Sequence, residues 1–138
     1  MTARTQISEL SIWVPLPPVE LSKNGRVNPY VLNQIFQQHK MLSRSAINRV
    51  LPSGFIAWTG PVDVHIVWHQ SSQRYWPDRD NLITRCAAYM DGAEEKDNGA
   101  GLFVNDKQVR SFKVDYEKDS NEGVSITFTH DEGAADDR

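Results

Sequence analysis

Val62-Asp63-Val64-His65-Ile66-Val67-Trp68-His69 alternates apolar and polar side chains almost without a break, and successive residues of a strand point to opposite faces. The octet predicts a half-buried strand, with Val62, Val64, Ile66 and Trp68 turned inward and Asp63, His65 and His69 outward. Gln70 to Pro77 reads as a polar loop. Beyond it, Leu82, Cys86, Tyr89 and Met90 recur at helical spacing, which predicts a helix over Asn81 to Met90 that closes near Gly92.

Upstream, Val31, Leu32, Ile35, Phe36, Leu42, Ala46, Ile47 and Val50 recur at three and four. They predict a helix from Pro29 to about Val50, with Asn28 as its cap and a proline at its first position. Its polar face presents His39, Lys40, Arg44, Asn48 and Arg49. Gln6 to Val14 reads as a strand, and Pro15 to Asn28 as a proline-containing basic loop. Downstream, Glu94 to Gly101 reads as a mobile loop, and Leu102 to Val104, Gln108 to Val114 and Val124 to Thr129 as strands. The last two are expected to pair antiparallel across a turn at Asp119 to Gly123. The order β-α-β-α-β-β predicts an α+β fold of two layers, a mixed β-sheet with helices packed on one face.

The chain has 138 residues, 39% of them hydrophobic and 24% charged, which suits one domain and not two. Residues 1–130 are expected to form that domain, and 131–138 an acidic tail too poor in apolar groups to fold. No apolar run approaches the roughly 18 residues of a membrane span, and the first residues lack a secretory leader's apolar stretch. A single cysteine, Cys86, excludes an intrachain disulfide and a thiolate zinc site. Together these point to a cytoplasmic protein with no membrane partner. The net charge of −3 hides a division: residues 1–60 hold six basic residues against two acidic, and the remainder nine against sixteen.

The acids are not scattered evenly. Pro77-Asp78-Arg79-Asp80-Asn81-Leu82 places two carboxylates at i and i+2, which an extended segment aims at one point. Val104-Asn105-Asp106-Lys107-Gln108-Val109 offers a third if its strand lies beside the one leading to Asp78. Carboxylates gathered this closely stay ionised only with a cation among them. Hard oxygen ligands select magnesium or manganese, and three converging aspartates suit metal-assisted phosphodiester hydrolysis. Each acid has a plainer reading. Asp80 just before a helix is a natural cap, Asp106 follows Asn105 as in a common turn, and Asp91 sits at a helix end beside a glycine. Other metal readings fail: His65 and His69 lie on a strand, not at the helical spacing of a zinc protease, and an EF-hand from Asp78 breaks at Ile83 and Tyr89.

Asp-x-Asp-Asn-Leu, a helix closing on Asp91-Gly92, a glycine-containing loop and then Asn-Asp-x-Gln-Val before a strand resembles the RusA family of Holliday junction resolvases. The likeness is strong over residues 76–116 and weaker before them. It implies a homodimer that binds four-way DNA junctions and cuts two opposing strands symmetrically with magnesium. Asp78, Asp80 and Asp106 fall on the family's catalytic, metal-binding aspartates, and Asn81, Asp91 and Gln108 on characteristic positions. One departure stands out. The family's lysine, four or seven residues past the second aspartate, is replaced here by Thr84 and Ala87, leaving Arg85 as the helix's only base and the substitute expected for it.

A DNA-binding surface needs cations to displace counterions from the phosphate backbone. The candidates are Lys23, Arg26, Arg74, Arg79, Lys107 and Arg110, with Arg79 the strongest because it lies between two of the acids. Trp76 is a candidate for stacking on an unpaired base. Two other readings are a junction-binding protein that kept the acids without cutting, and a nuclease acting on flaps or forks.

Overall fold

The computed structural model describes residues 7–22 and 27–131. Residues 132–138, which hold most of the expected tail, lie outside the described residues, as do Lys23 and Arg26. The fold is α+β, built on a four-stranded mixed sheet of order β1-β4-β2-β3. Its strands are β1 (Glu9–Val14), β2 (Val62–His69), β3 (Val109–Glu117) and β4 (Gly123–His130). β4 runs antiparallel to both β1 and β2, while β3 lies parallel to β2. Ile12, Ile126, Ile66 and Val114 line up across all four strands.

The alternation of Val62 to His69 is realised: its four inward residues are buried and the four between them partly exposed. Those inward residues join Leu10, Ile12 and Val14 of β1 and Val124, Ile126 and Phe128 of β4 in one core. Helix α1 (Pro29–Asn48) starts as expected, with the Asn28 side chain accepting from the Tyr30 N–H at 2.8 Å. The second predicted helix starts earlier and is broken. It comprises α2 (Arg79–Arg85) and α3 (Ala87–Asp91), separated at Cys86, whose φ of −93° and ψ of 2° leave the helical region. The break turns α3 onto α1: the Ser43 hydroxyl donates to the Tyr89 carbonyl, and His39 meets the Tyr89 hydroxyl. A methyl group on Gly92 would sit 2.4 Å from the Lys40 carbonyl oxygen, so only glycine permits this approach.

Two sequence expectations are corrected. Val109–Glu117 and Gly123–His130 do not pair, because β2 lies between them. The inward residues of β4 are wholly buried and take a central position. β3 carries Arg110, Lys113, Asp115 and Glu117 outward and takes the edge, where charged side chains discourage further pairing. Leu102 to Val104 forms isolated bridges through Phe103 and not a strand. The segment read as mobile is instead tied down. Glu95 and Lys96 donate to the Phe103 and Val104 carbonyls, Gly99 to Glu94, and Ala100 to Gly92. Among the described residues no helix is long and apolar enough to cross a membrane.

Candidate acidic site

The turn that presents Asp106 is built by its neighbours. Asn105 accepts from the Lys107 N–H, and Gln108 Oε1 accepts from the N–H groups of Val104 and Asn105, a reciprocal cap around a single helical turn. Gln108 Nε2 donates to the Trp58 and Gly60 carbonyls at 2.8 and 2.9 Å, clamping this turn to the segment that enters β2. The Asn-Asp-x-Gln motif thus divides by role. Asn105 and Gln108 are consumed by the backbone, and Asp106 is left with its side chain exposed.

Asp106 belongs to an acidic cleft. Its N–H donates to Glu94 Oε1 at 2.9 Å. Ile83, Ala87, Asp91, Glu94, Asp106 and Phe112 line a cleft of about 260 Å³. Asp91, Glu94 and Asp97 each bring a carboxylate oxygen within 4.8 Å of the others. Glu94 is only 2% exposed. Burial, reinforced by the charges of Asp97, Asp91 and Asp106, pushes its carboxyl from 4.5 to about 7. Burial also raises Asp91, again with Asp97 adding to the effect, while a hydrogen bond from Glu94 and the charge of Lys40 oppose it. The raised pKa of Glu94 favours its protonated form as the donor in the side-chain hydrogen bond to Asp91. Sequence reasoning missed Glu94 and Asp97, assigning them to a mobile loop. The available signal was their spacing, since Asp91, Glu94 and Asp97 recur every three residues through a helix end and its following turn.

Asp78 and Asp80 lie at the other end of the α2–α3 pair. Asp78 caps α2, its Oδ1 accepting from the Asn81 N–H at 2.8 Å. The cap is therefore Asp78 and not Asp80. Because the chain is already helical at Arg79, Asp78 and Asp80 do not share the alignment of an extended segment: helical residues rotate by about 100° each. Asp80 instead shares a side of α2 with Ile83, three residues on, which lines the acidic cleft. Asp106 lines one cleft with Asp91 and Glu94, and the lining of that cleft does not include Asp78 or Asp80.

The basic residues divide similarly. Arg85 points away from the cleft, donating to the Pro17 carbonyl at 2.6 Å and lying 4.8 Å over the Trp68 ring. Two residues past Ile83, its helical side chain has turned by about 200° from the one that lines the cleft. Ala87 stands in the cleft itself, and the Thr84 hydroxyl donates to the Asp80 carbonyl. Arg79 donates to the Phe112 carbonyl on edge strand β3. Arg110 grips Asp63 with two nitrogens and reaches Asp131 with a third, which raises its pKa further. Lys107 and Arg110 share a second cleft of about 550 Å³, which Gln108 also lines. Arg74 lies 5.6 Å over the Tyr75 ring. Trp76 is stacked on Tyr116 at 5.1 Å and donates to the Gln70 carbonyl, so its ring is already engaged within the fold.

Compared with known proteins, the sequence matches no family model and no curated relative.

Proposed function

We propose that this protein is a magnesium- or manganese-dependent, structure-selective endodeoxyribonuclease of RusA type. On this reading a homodimer resolves four-way DNA junctions by paired nicks. The observation that carries the proposal is the acidic cleft, where buried Glu94 adjoins Asp91, Asp97 and the exposed Asp106. A buried acid among like charges costs stability unless it is protonated or partnered by a cation. The donors are all hard oxygens, which fits magnesium or manganese and not zinc.

Asp91, Glu94 and Asp97, with Asp106 beside them on the cleft wall, are the residues that would hold the ion. When bound, it would supply an activated water and offset the charge of the scissile phosphate. Asp106 is presented on a turn whose backbone is fixed by Asn105 and Gln108, so its carboxylate keeps its place as substrate binds. Burial and the neighbouring acids favour the protonated form of Glu94, and an entering ion would displace that proton. Asp80 lies along the same side of α2 as the cleft wall, in position to face a DNA strand running from the cleft over the helix start. Arg79 and Lys107, with Arg74 and Arg110, are the described cations proposed to meet its phosphates.

The test is incubation of the purified protein with labelled four-way DNA and magnesium. Wild-type protein is expected to nick two opposing strands, while Asp106→Asn binds the junction without cutting. Normal cutting by Asp106→Asn refutes the assignment. One observation favours a second reading, junction binding without cleavage: Ala87 occupies the cleft where the family's lysine would stand. Tight junction binding by a wild-type protein that never cuts would establish it. A panel of flaps and forks separates junction resolution from cleavage of other branched DNA.

A further inference from the structure

Lys107 and Arg110 line the cleft of about 550 Å³, with Gly60 and Pro61 in its wall. Among the described residues no acid lines it, and the Lys107 ammonium pairs with no carboxylate. Asp106 and Lys107 are consecutive on one turn, yet Asp106 lines the acidic cleft and Lys107 lines this one. A chain of phosphates crossing that turn therefore passes from acids that repel it to cations that attract it.

Arg110 already holds two anions, in different ways. Its Nε and Nη2 donate to Asp63 at 3.2 and 2.6 Å, and the Ser111 hydroxyl donates to the same carboxylate at 2.6 Å. A two-point grip of this kind fixes the guanidinium plane. Nη1 donates to Asp131 Oδ2 at 3.1 Å, a one-point contact between side chains 46% and 40% exposed. Exposed pairs held at one point are weak, so Asp131 is the anion that exchanges and Asp63 the one that stays. The cleft wall itself positions Asp131. Its N–H donates to the Pro61 carbonyl at 3.1 Å, and the Gly60 N–H donates to His130 Nε2 at 3.2 Å. The His130 ring is stacked on Trp58, 5.1 Å between centres. A carboxylate is thus fastened to an arginine of the cleft, where it presents the charged oxygen that a phosphate would present. The sequence continues with Glu132, Asp136 and Asp137, which add like charge to the same segment.

We infer that this cleft is a phosphate-binding subsite closed in cis: Asp131 occupies Arg110 in place of a backbone phosphate, and DNA must displace it to bind. Asp63 keeps the guanidinium aimed while Asp131 leaves. The subsite rests on the DNA-binding part of the proposed function and not on its cutting chemistry.

The test compares binding of labelled four-way DNA at about 50 mM salt without divalent metal, where phosphate contacts weigh most. Asp131→Asn keeps the shape of the side chain and removes the competing charge, and should bind about threefold more tightly than wild type. Glu117→Gln removes an equal charge from the exposed far end of β3, and its much smaller effect sets the baseline for net charge alone. In an Arg110→Gln background, which keeps the fold because Arg110 lies at the surface, Asp131→Asn should gain nothing. An Asp131→Asn protein no tighter than Glu117→Gln overturns the inference, as does a gain that persists without Arg110. Either result leaves junction cutting by the wild type standing. Pyrophosphate gives a readout independent of DNA: it should shift the Arg110 Nε–H resonance at a lower concentration in Asp131→Asn than in wild type. That shift in a protein that binds no DNA keeps the phosphate subsite and refutes the proposed function. Equal titration of the two proteins overturns the subsite.

Discussion

Replacing Glu94 by Gln tests whether the acidic cleft is strained in the absence of a cation. The folded protein holds the Glu94 proton up to about pH 7, whereas an unfolded chain releases it near 4.5. The native state therefore binds more protons between those values, and stability falls as pH rises through the window. At about 1.4 kcal/mol per pH unit the difference is at most roughly 3 kcal/mol, and it belongs to the coupled Glu94–Asp91 pair as a whole. Glutamine keeps the acceptor for the Asp106 N–H and supplies an N–H toward Asp91, so shape and hydrogen bonding are retained. Glu94→Gln should thus raise the melting temperature at pH 8, without metal, by roughly 5–8 °C and flatten its dependence between pH 5 and 7. Differential scanning calorimetry of both proteins across pH 4.5 to 8.5, with and without millimolar magnesium, measures this. Magnesium should stabilise the wild type and have much less effect on the variant. A wild-type melting temperature that is flat across the window, or a variant destabilised at pH 8, would refute the strained-acid argument.

Other consequences are equally direct. Ala87→Lys should bring an ammonium into the cleft, lower the Glu94 pKa and, on the nuclease reading, raise junction cleavage at least tenfold, while Thr84→Lys should not; matched single-turnover assays compare them. Gln108→Ala should cost about 2–4 kcal/mol in urea denaturation, because the N–H of Val104 and the carbonyls of Trp58 and Gly60 lose their partner. Gly92→Ala should lower stability by about 1–3 kcal/mol through the clash with the Lys40 carbonyl, read as a fall in melting temperature. Asp78→Ala should cost about 1 kcal/mol as a lost helix cap, and Asp80→Ala less than about 0.5, which unfolding curves resolve.

Local rules carried far here. The alternation of Val62 to His69 gave the burial of β2 residue by residue, and Asn28-Pro29 marked the start of α1. Both signals are encoded within a few residues, so no distant partner can alter them. The cap of the second helix was missed by two residues. Asp78 and Asp80 are equally good caps in isolation, and the choice depends on where Pro77 and Trp76 are fixed against Tyr116. Arg85 was read as a base for the site because only its place in the sequence was known; its partner, Pro17, lies 68 residues away.

Asp106 was legible as a candidate from its motif, but its company was not. The sequence by itself determined the strand and helix periods, the α+β class and the clustering of acids after residue 77. Only the tertiary structure decided that β4 separates β2 from β3, and that Glu94 is buried against the Asp106 turn. Strand order and buried-charge contacts depend on competition among segments far apart in the chain. Which strand is apolar enough for the centre, and which acid the folded backbone encloses, are settled by the packing of the whole domain.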